Sequence, residues 1–474
     1  MSFTSVDYLF FLLTAVVFCR CMPRRMQPLW ILLMSCFFYA LWDVRALIPL
    51  GGATLLAYVS ALRIETADGQ RNRPIVAYGS VILLLALLLL LKDLPKSSRP
   101  FDWLTPLGIS YYTFKLISYV LDVFWGKQRA ERDPIAFASY AVFFPQIVAG
   151  PIQRSGHYLS QVRNPQRFSR SLLARGAGRI ALGLFKKLVI ADHIGVALSA
   201  VYGGVHGFSG VPLLAAFYLF PIQLYADFSG LTDIAIGSAL LLGIESPENF
   251  NHPFSATNIS EYWRRWHMSL TNWTVDYVFT PLRMATRNWN RVGLVFSICV
   301  NMMSVALWHG ITWTFFAFGV LHSVFVSLDA LSTKSRKAFF KANPSWKKAA
   351  GWAGPVLTFH LVAVGMVFWR AKTVSDALWI LTRMWAPLGA LPAGIAALAR
   401  SAGWGSLAVG LTAFAVLELA EKCREQAPID WTLQSSPRWL RWSAQGVSYL
   451  VLVVGLLLMF VHGSVREPFL YEIF

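Results

Sequence analysis

The chain has 474 residues, of which 56% are hydrophobic and only 14% charged, and its 42 Lys plus Arg against 24 Asp plus Glu give a formal charge of +18. A soluble domain carries about 25% charged residues, so this composition excludes an ordinary soluble enzyme, and 15% aromatic residues exclude intrinsic disorder. The composition predicts an all-α integral membrane protein.

A hydrocarbon core of ~30 Å takes about 20 mostly apolar residues as helix, because backbone groups in lipid must be satisfied within the segment. By that measure plausible spans lie near 7–22, 28–42, 46–62, 74–91, 103–124, 180–201, 211–243, 292–308, 311–330, 354–370, 402–420 and 445–462. Several are short, so roughly eleven transmembrane helices are expected, together with re-entrant helices, in one polytopic domain over 1–474. The first seven residues carry no Lys or Arg, so the basic flank of a cleavable signal peptide is missing and the first span is expected to stay in the membrane. Residues 135–152 are apolar but interrupted by Pro145, Gly150 and Pro151, and read as re-entrant. Residues 211–243 exceed the core's thickness and contain Pro221 and Gly230, which predicts a break or a strong tilt. No internal repeat is visible, and the five cysteines show no metal spacing.

The positive charge sorts by loop. From Arg154 to Lys187 every charged residue is basic, and so is every one between Lys334 and Lys348. Both stretches belong on the cytoplasmic side, which with Pro23-Arg24-Arg25 puts the N-terminus outside the cytoplasm. No basic stripe sits on a soluble domain, so no nucleic-acid partner is expected.

Ionisable residues among apolar segments are the candidates for chemistry. His309, in Leu307-Trp308-His309-Gly310, lies at a tight turn between two apolar stretches. An imidazole there is either a general base or a packed, satisfied ring. His267 lies in Glu261-Tyr262-Trp263-Arg264-Arg265-Trp266-His267, an amphipathic segment. That segment is either an interfacial aromatic belt with snorkelling arginines or a mouth where Arg264 or Arg265 meets donor phosphates. Asp227 and Asp233 read as helix caps at a break near Gly230, as carboxylates that orient a protonated histidine, or as acceptor-binding groups. The other histidines, His322 among them, read as structural.

At these residues the chain resembles the membrane-bound O-acyltransferase family, in its bacterial branch of alginate O-acetylation and D-alanyl teichoic-acid transfer proteins. The matching stretches are Leu107 to Phe114, Phe143 to Ile152, Asp227-Phe228-Ser229-Gly230, Asn249 to Phe254, Glu261 to Trp273 and Leu307 to Gly310, spanning about 105–320. The resemblance implies that His309 is the catalytic histidine and His267 the second functional one, in helices around a central tunnel. It also implies substrate contacts near Trp308, Trp263, Arg264, Arg265, Asp227 and Asp233. The activity implied is transfer of a short acyl group, acetyl first, from a cytoplasmic thioester (acetyl-coenzyme A or an acyl carrier protein), with no bound cofactor or metal. The implied acceptor is an extracytoplasmic polysaccharide reached through a periplasmic or extracellular partner transferase, and the implied location is the bacterial inner membrane, in contact with membrane lipid. The rival readings are a proton-coupled secondary transporter, which buried acids and broken helices would suit, and a non-catalytic scaffold of a polysaccharide-synthesis complex.

Overall fold

In the computed structural model, which describes residues 1–66, 72–93, 107–148, 150–165, 169–386 and 404–426, every regular element is helical. Among the described residues, six helical stretches are long and apolar enough to cross a membrane: Arg24–Thr66, Asn72–Lys92, Val211–Leu241, Arg287–His309, Trp313–Ala342 and Pro344–Arg370. The expected all-α membrane architecture is observed, while the span expected at 445–462 and the start of that at 103–124 lie outside the described residues. The described chain forms two compact units, one of Met1–Gly183 with Leu231–Glu248, the other of Leu184–Gly230 with the described residues from Asn249 on.

The first unit holds α1 (Val6–Cys21), α2 (Gln27–Asp43), α3 (Leu47–Thr66), α4 (Asn72–Leu88), α5 (Ile109–Phe124), α6 (Pro134–Ala141), α7 (Phe144–Ile147), α8 (Ser155–Arg163) and most of α9 (Arg170–Phe185). Ser5 caps α1, and Asp43 accepts from the Arg45 amide at 2.9 Å, turning α2 into α3. The apolar segment at 135–152 is two short helices, because Asp133 caps α6 with Pro134 in its first turn and Pro145 restarts the chain as α7. Gly108, at φ 65°, starts α5 against that break: a Cβ there would lie 1.7 Å from the Ile147 carbonyl oxygen, so only glycine fits. Every residue of α5 from Ile109 to Val123 is buried. The buried Lys115 within it donates to the Tyr140 carbonyl at 2.6 Å and lies 4.5 Å from the Tyr140 ring centroid.

A π-helical turn at Lys186–Ala191 leads into the second unit's helices. These are α10 (Asp192–Gly203), the first part of α11 (Val211–Leu241), α12 (Ile259–Trp263), α13 (Met268–Thr274), α14 (Thr280–Ala285), α15 (Asn290–His309), α16 (Trp313–Ala342), α17 (Pro344–Arg370), α18 (Val374–Arg383) and α19 (Trp404–Gln426). The 31 residues of α11 run unbroken through Pro221 and Gly230, about 46 Å at 1.5 Å per residue. Of the break or strong tilt expected there, the break does not occur. The basic stretch after residue 331 is also not a loop: α16 and α17 run into it and meet at Asn343. Lys, Arg and Ala favour helix, and basic last turns suit its C-terminal end, so the charges sit on helix surface.

The last turns of α11, from Leu231, belong to the first unit. A Cβ on Gly237 would sit 2.6 Å from the Gly176 carbonyl oxygen, so two glycines let α9 and α11 cross in backbone contact. Beside the crossing, Arg179 binds Asp233 at 2.6 Å and also pairs with Glu248. Tyr8 of α1 donates to Ser238 of α11 at 2.8 Å.

Candidate functional site

The segment Glu261 to Trp273 folds as two short helices, α12 and α13, around a turn that carries His267. Asn258 caps α12 by accepting from the Glu261 amide at 2.9 Å. Glu261 accepts from the Thr257 amide at 2.9 Å and from Arg265 at 2.9 Å, and these donors hold its carboxyl below the usual carboxylate range although partial burial opposes them. Two backbone bonds tie the turn to the preceding loop: Asn251 N–H to Arg265 C=O at 2.9 Å, and Met268 N–H to Asn249 C=O at 2.8 Å. His267 takes the left-handed conformation at φ 43°, which for a non-glycine residue costs of order 1 kcal/mol and is held by its surroundings.

That anchoring fixes the imidazole's tautomer. The Ser269 amide and hydroxyl both donate to the Asn249 side chain, at 3.2 and 2.8 Å, so the atom they meet is the amide oxygen. His267 Nδ1, 3.0 Å from the same oxygen, must carry the proton, and Nε2 is the basic atom. The ring is 1% exposed, and burial, reinforced by the nearby His309, pushes its pKa well below the ordinary histidine value. The imidazole is neutral.

His309 ends α15, and its Nδ1 lies 2.8 Å from the Val305 carbonyl oxygen. A carbonyl only accepts, so Nδ1 is again protonated and Nε2 is again basic. The ring is buried between Phe315, stacked at 5.8 Å between centroids, and the edge-on Trp369 at 5.9 Å. Trp308 meets His309 edge-on at 4.9 Å and His267 at 5.7 Å, so one indole touches both imidazoles. Phe228 of α11 closes the other side of His267 at 4.8 Å.

The remaining expected residues separate. Trp263, Trp266 and Trp273 are buried, so the segment is no lipid-facing aromatic belt. Trp263 donates its indole N–H to His322 Nδ1 at 3.3 Å, which gives His322 the opposite tautomer and supports its structural reading. Arg265 is spent on Glu261, the Asn251 carbonyl and Ser255, whereas Arg264 is exposed. Asp227 and Asp233 lie within α11 and cap nothing, which corrects the expectation of caps at a break. Asp227 holds Lys187 at 2.8 Å, a lysine that also binds Asp192 at 2.8 Å, and Asp233 holds Arg179. Sequence reading missed Asn249 as the anchor of His267, although it begins one of the matching stretches. It also missed Phe315 and Trp369 beside His309, for which aromatic content gives no positional signal.

Residues 129–359 match the family model of the membrane-bound O-acyltransferases. The chain is 32% identical over 374 residues to a protein of Pseudomonas putida named as a probable alginate O-acetylase, covering 75% of this chain and 74% of that one. It is 30% identical over 425 residues to the peptidoglycan O-acetyltransferase of Helicobacter pylori, covering 81% and 78%. It is also 30% identical over 322 residues to the teichoic acid D-alanyltransferase of Streptococcus thermophilus, covering 63% and 76%.

Proposed function

The chain belongs to the membrane-bound O-acyltransferase family and is a multi-pass membrane O-acyltransferase, and on that premise we propose that it moves an acetyl group from a cytoplasmic thioester to a hydroxyl outside the cytoplasm. His309 is the general base. The acceptor oxygen attacks the thioester carbonyl carbon, His309 Nε2 takes its proton, the carbon–sulfur bond breaks, and the same nitrogen returns the proton to the leaving thiolate. Thioesters are already activated, so the protein's task is to align the two reactants and exclude water. His267 and Trp308 hold the reacting groups against His309. Of the other expected contacts, Arg264 is assigned to the donor, while Arg265, Asp227, Asp233 and Trp263 hold the fold, since each is engaged by a neighbouring side chain.

The observation that carries this reading is the pair of buried imidazoles on one indole, each anchored through Nδ1 to an oxygen that cannot take the proton. Acetyl is favoured over D-alanyl because relatives named for O-acetylation align over more of the chain. An extracytoplasmic polysaccharide, reached through a partner transferase in the bacterial inner membrane, is the acceptor this reading assigns. The test is His309→Ala and His309→Gln in the full chain, with membrane insertion and monodispersity verified. Cell-surface O-acetylation falls at least 100-fold, within the ~10²–10⁴ that a general base supplies. Undiminished acetylation by the inserted variants rejects the assignment.

A further inference from the structure

The basic stretch at the α16–α17 junction lines a cleft that includes neither His267 nor His309 and shares only Arg264 with the residues assigned to the donor. The cleft has a volume of about 940 Å³ and lies between the Thr257–Arg264 segment, the end of α16 and the start of α17. Five cations line it, Arg264, Lys334, Arg336, Lys337 and Lys347, against one acid, Asp329. Asp329 is committed to Arg336, and the side chains of the other four cations make no hydrogen bond or ion pair among the described residues. The Nε of Arg336 is itself buried with no partner among those residues. Lys334 and Lys337 are three apart on one helix, where like charges oppose each other. Nothing described relieves that repulsion.

The walls are built to stay. Gly354 of α17 packs so closely on the Thr257 backbone that a Cβ would lie 2.7 Å from its carbonyl oxygen, and Glu261 holds Thr257 through both amide and hydroxyl. Ala350, Gly351, Ala353 and the exposed Leu357 add small and apolar surface to the lining, while Thr257, Asn258 and Ser260 add neutral polar groups. A cleft of this size with five cations in its lining suits an inserted group, and Lys and Arg together are the residues that bind phosphate.

We propose that this cleft is a binding site for a phosphate-bearing anion with an apolar portion. Two sources share that chemistry: the phosphates of a coenzyme A thioester, a source that rests on the acyl-transfer reading, and the headgroup of an anionic lipid, which does not. Binding without turnover keeps a failure here distinct from a failure of that reading.

The experiment uses the full chain in phosphatidylcholine nanodiscs titrated with coenzyme A, and in phosphatidylglycerol nanodiscs whose bound lipid is quantified by native mass spectrometry. The wild type binds one of these probes, and binding weakens as salt rises. Lys334→Gln/Lys337→Gln/Lys347→Gln weakens it at least tenfold, the corresponding Lys→Arg triple restores it, and Arg24→Gln/Arg25→Gln, a charge change at another loop, leaves it intact. Should the Gln triple fail to insert, Lys337→Gln alone weakens binding at least threefold. Coenzyme A bound in phosphatidylcholine identifies the donor as the source, and retained phosphatidylglycerol alone identifies lipid. The proposal is overturned if neither probe binds, or if the Gln variants bind as the wild type does.

Discussion

At the scale of single residues, the site depends on which nitrogen of each imidazole holds the proton, and Asn249 decides this for His267. Its side-chain oxygen takes donors from Ser269 and His267 together. Asn249→Ala leaves the ring unanchored and is expected to lower the acyl-transfer rate about 10- to 100-fold, the scale of an ångström's misplacement, with the protein still inserted. Asn249→Asp keeps the anchor but adds a negative charge. A carboxylate favours the protonated imidazole and raises the pKa of His267, so the acid limb of the pH–rate profile moves to higher pH. A residue that only supported the fold would lower the rate without moving that limb. His309 stood out in the sequence because Trp308 and Gly310 flank it directly between two apolar stretches, whereas the bond from Asn249 to His267 spans 18 positions with no periodicity to connect them. Arg264 and Arg265 were indistinguishable as neighbours. Only the acid at Glu261, one helical turn before Arg265, separates the engaged arginine from the exposed one.

At the scale of elements, small residues and caps decide more than hydropathy does. The α9–α11 crossing depends on Gly176 and Gly237, since a Cβ on the latter would strike backbone. Gly237→Val is expected to destabilise the protein by about 1–3 kcal/mol, read as a lower Tm in a thermal-shift measurement on the purified protein. An unchanged Tm would mean that the crossing yields without cost. Hydropathy located the apolar stretches because lipid demands them, and α1, α2, α3 and α15 fall close to their expected positions, whereas α17 begins at Pro344, well before the expected 354. It allowed a break in α11 that does not occur, because Pro221 and Gly230 are breakers in water. In a helix packed along 72% of its most apolar window, neighbouring groups tolerate them. It also ended α16 too early, since charge marked a loop where the backbone stays helical.

At the scale of the whole molecule, the loop charges make a claim about sidedness that the acyl-transfer reading needs. In a variant without native cysteines, thiols placed by Arg24→Cys and Lys347→Cys are expected to react only with reagent supplied from the cytoplasm. A thiol placed by His206→Cys, in a stretch without Lys or Arg, is expected to react only from outside. Labelling of Lys347→Cys from outside would invert the topology and remove the donor's approach. The rival of a proton-coupled transporter drew on buried acids, but Asp227 and Asp233 are neutralised by Lys187 and Arg179.

The carbonyl behind His309 carries one more implication. An amide oxygen accepts a hydrogen bond but will not carry a proton onward, so the ring has a single exit, and whatever arrives at Nε2 departs from Nε2. On the proposed reading, with His309 as base and a thioester donor on the cytoplasmic side, each turnover would send an acyl group outward and bring one hydrogen inward as part of a thiol, and no net charge would cross. Collapsing the membrane voltage with an ionophore should therefore leave the step itself untouched.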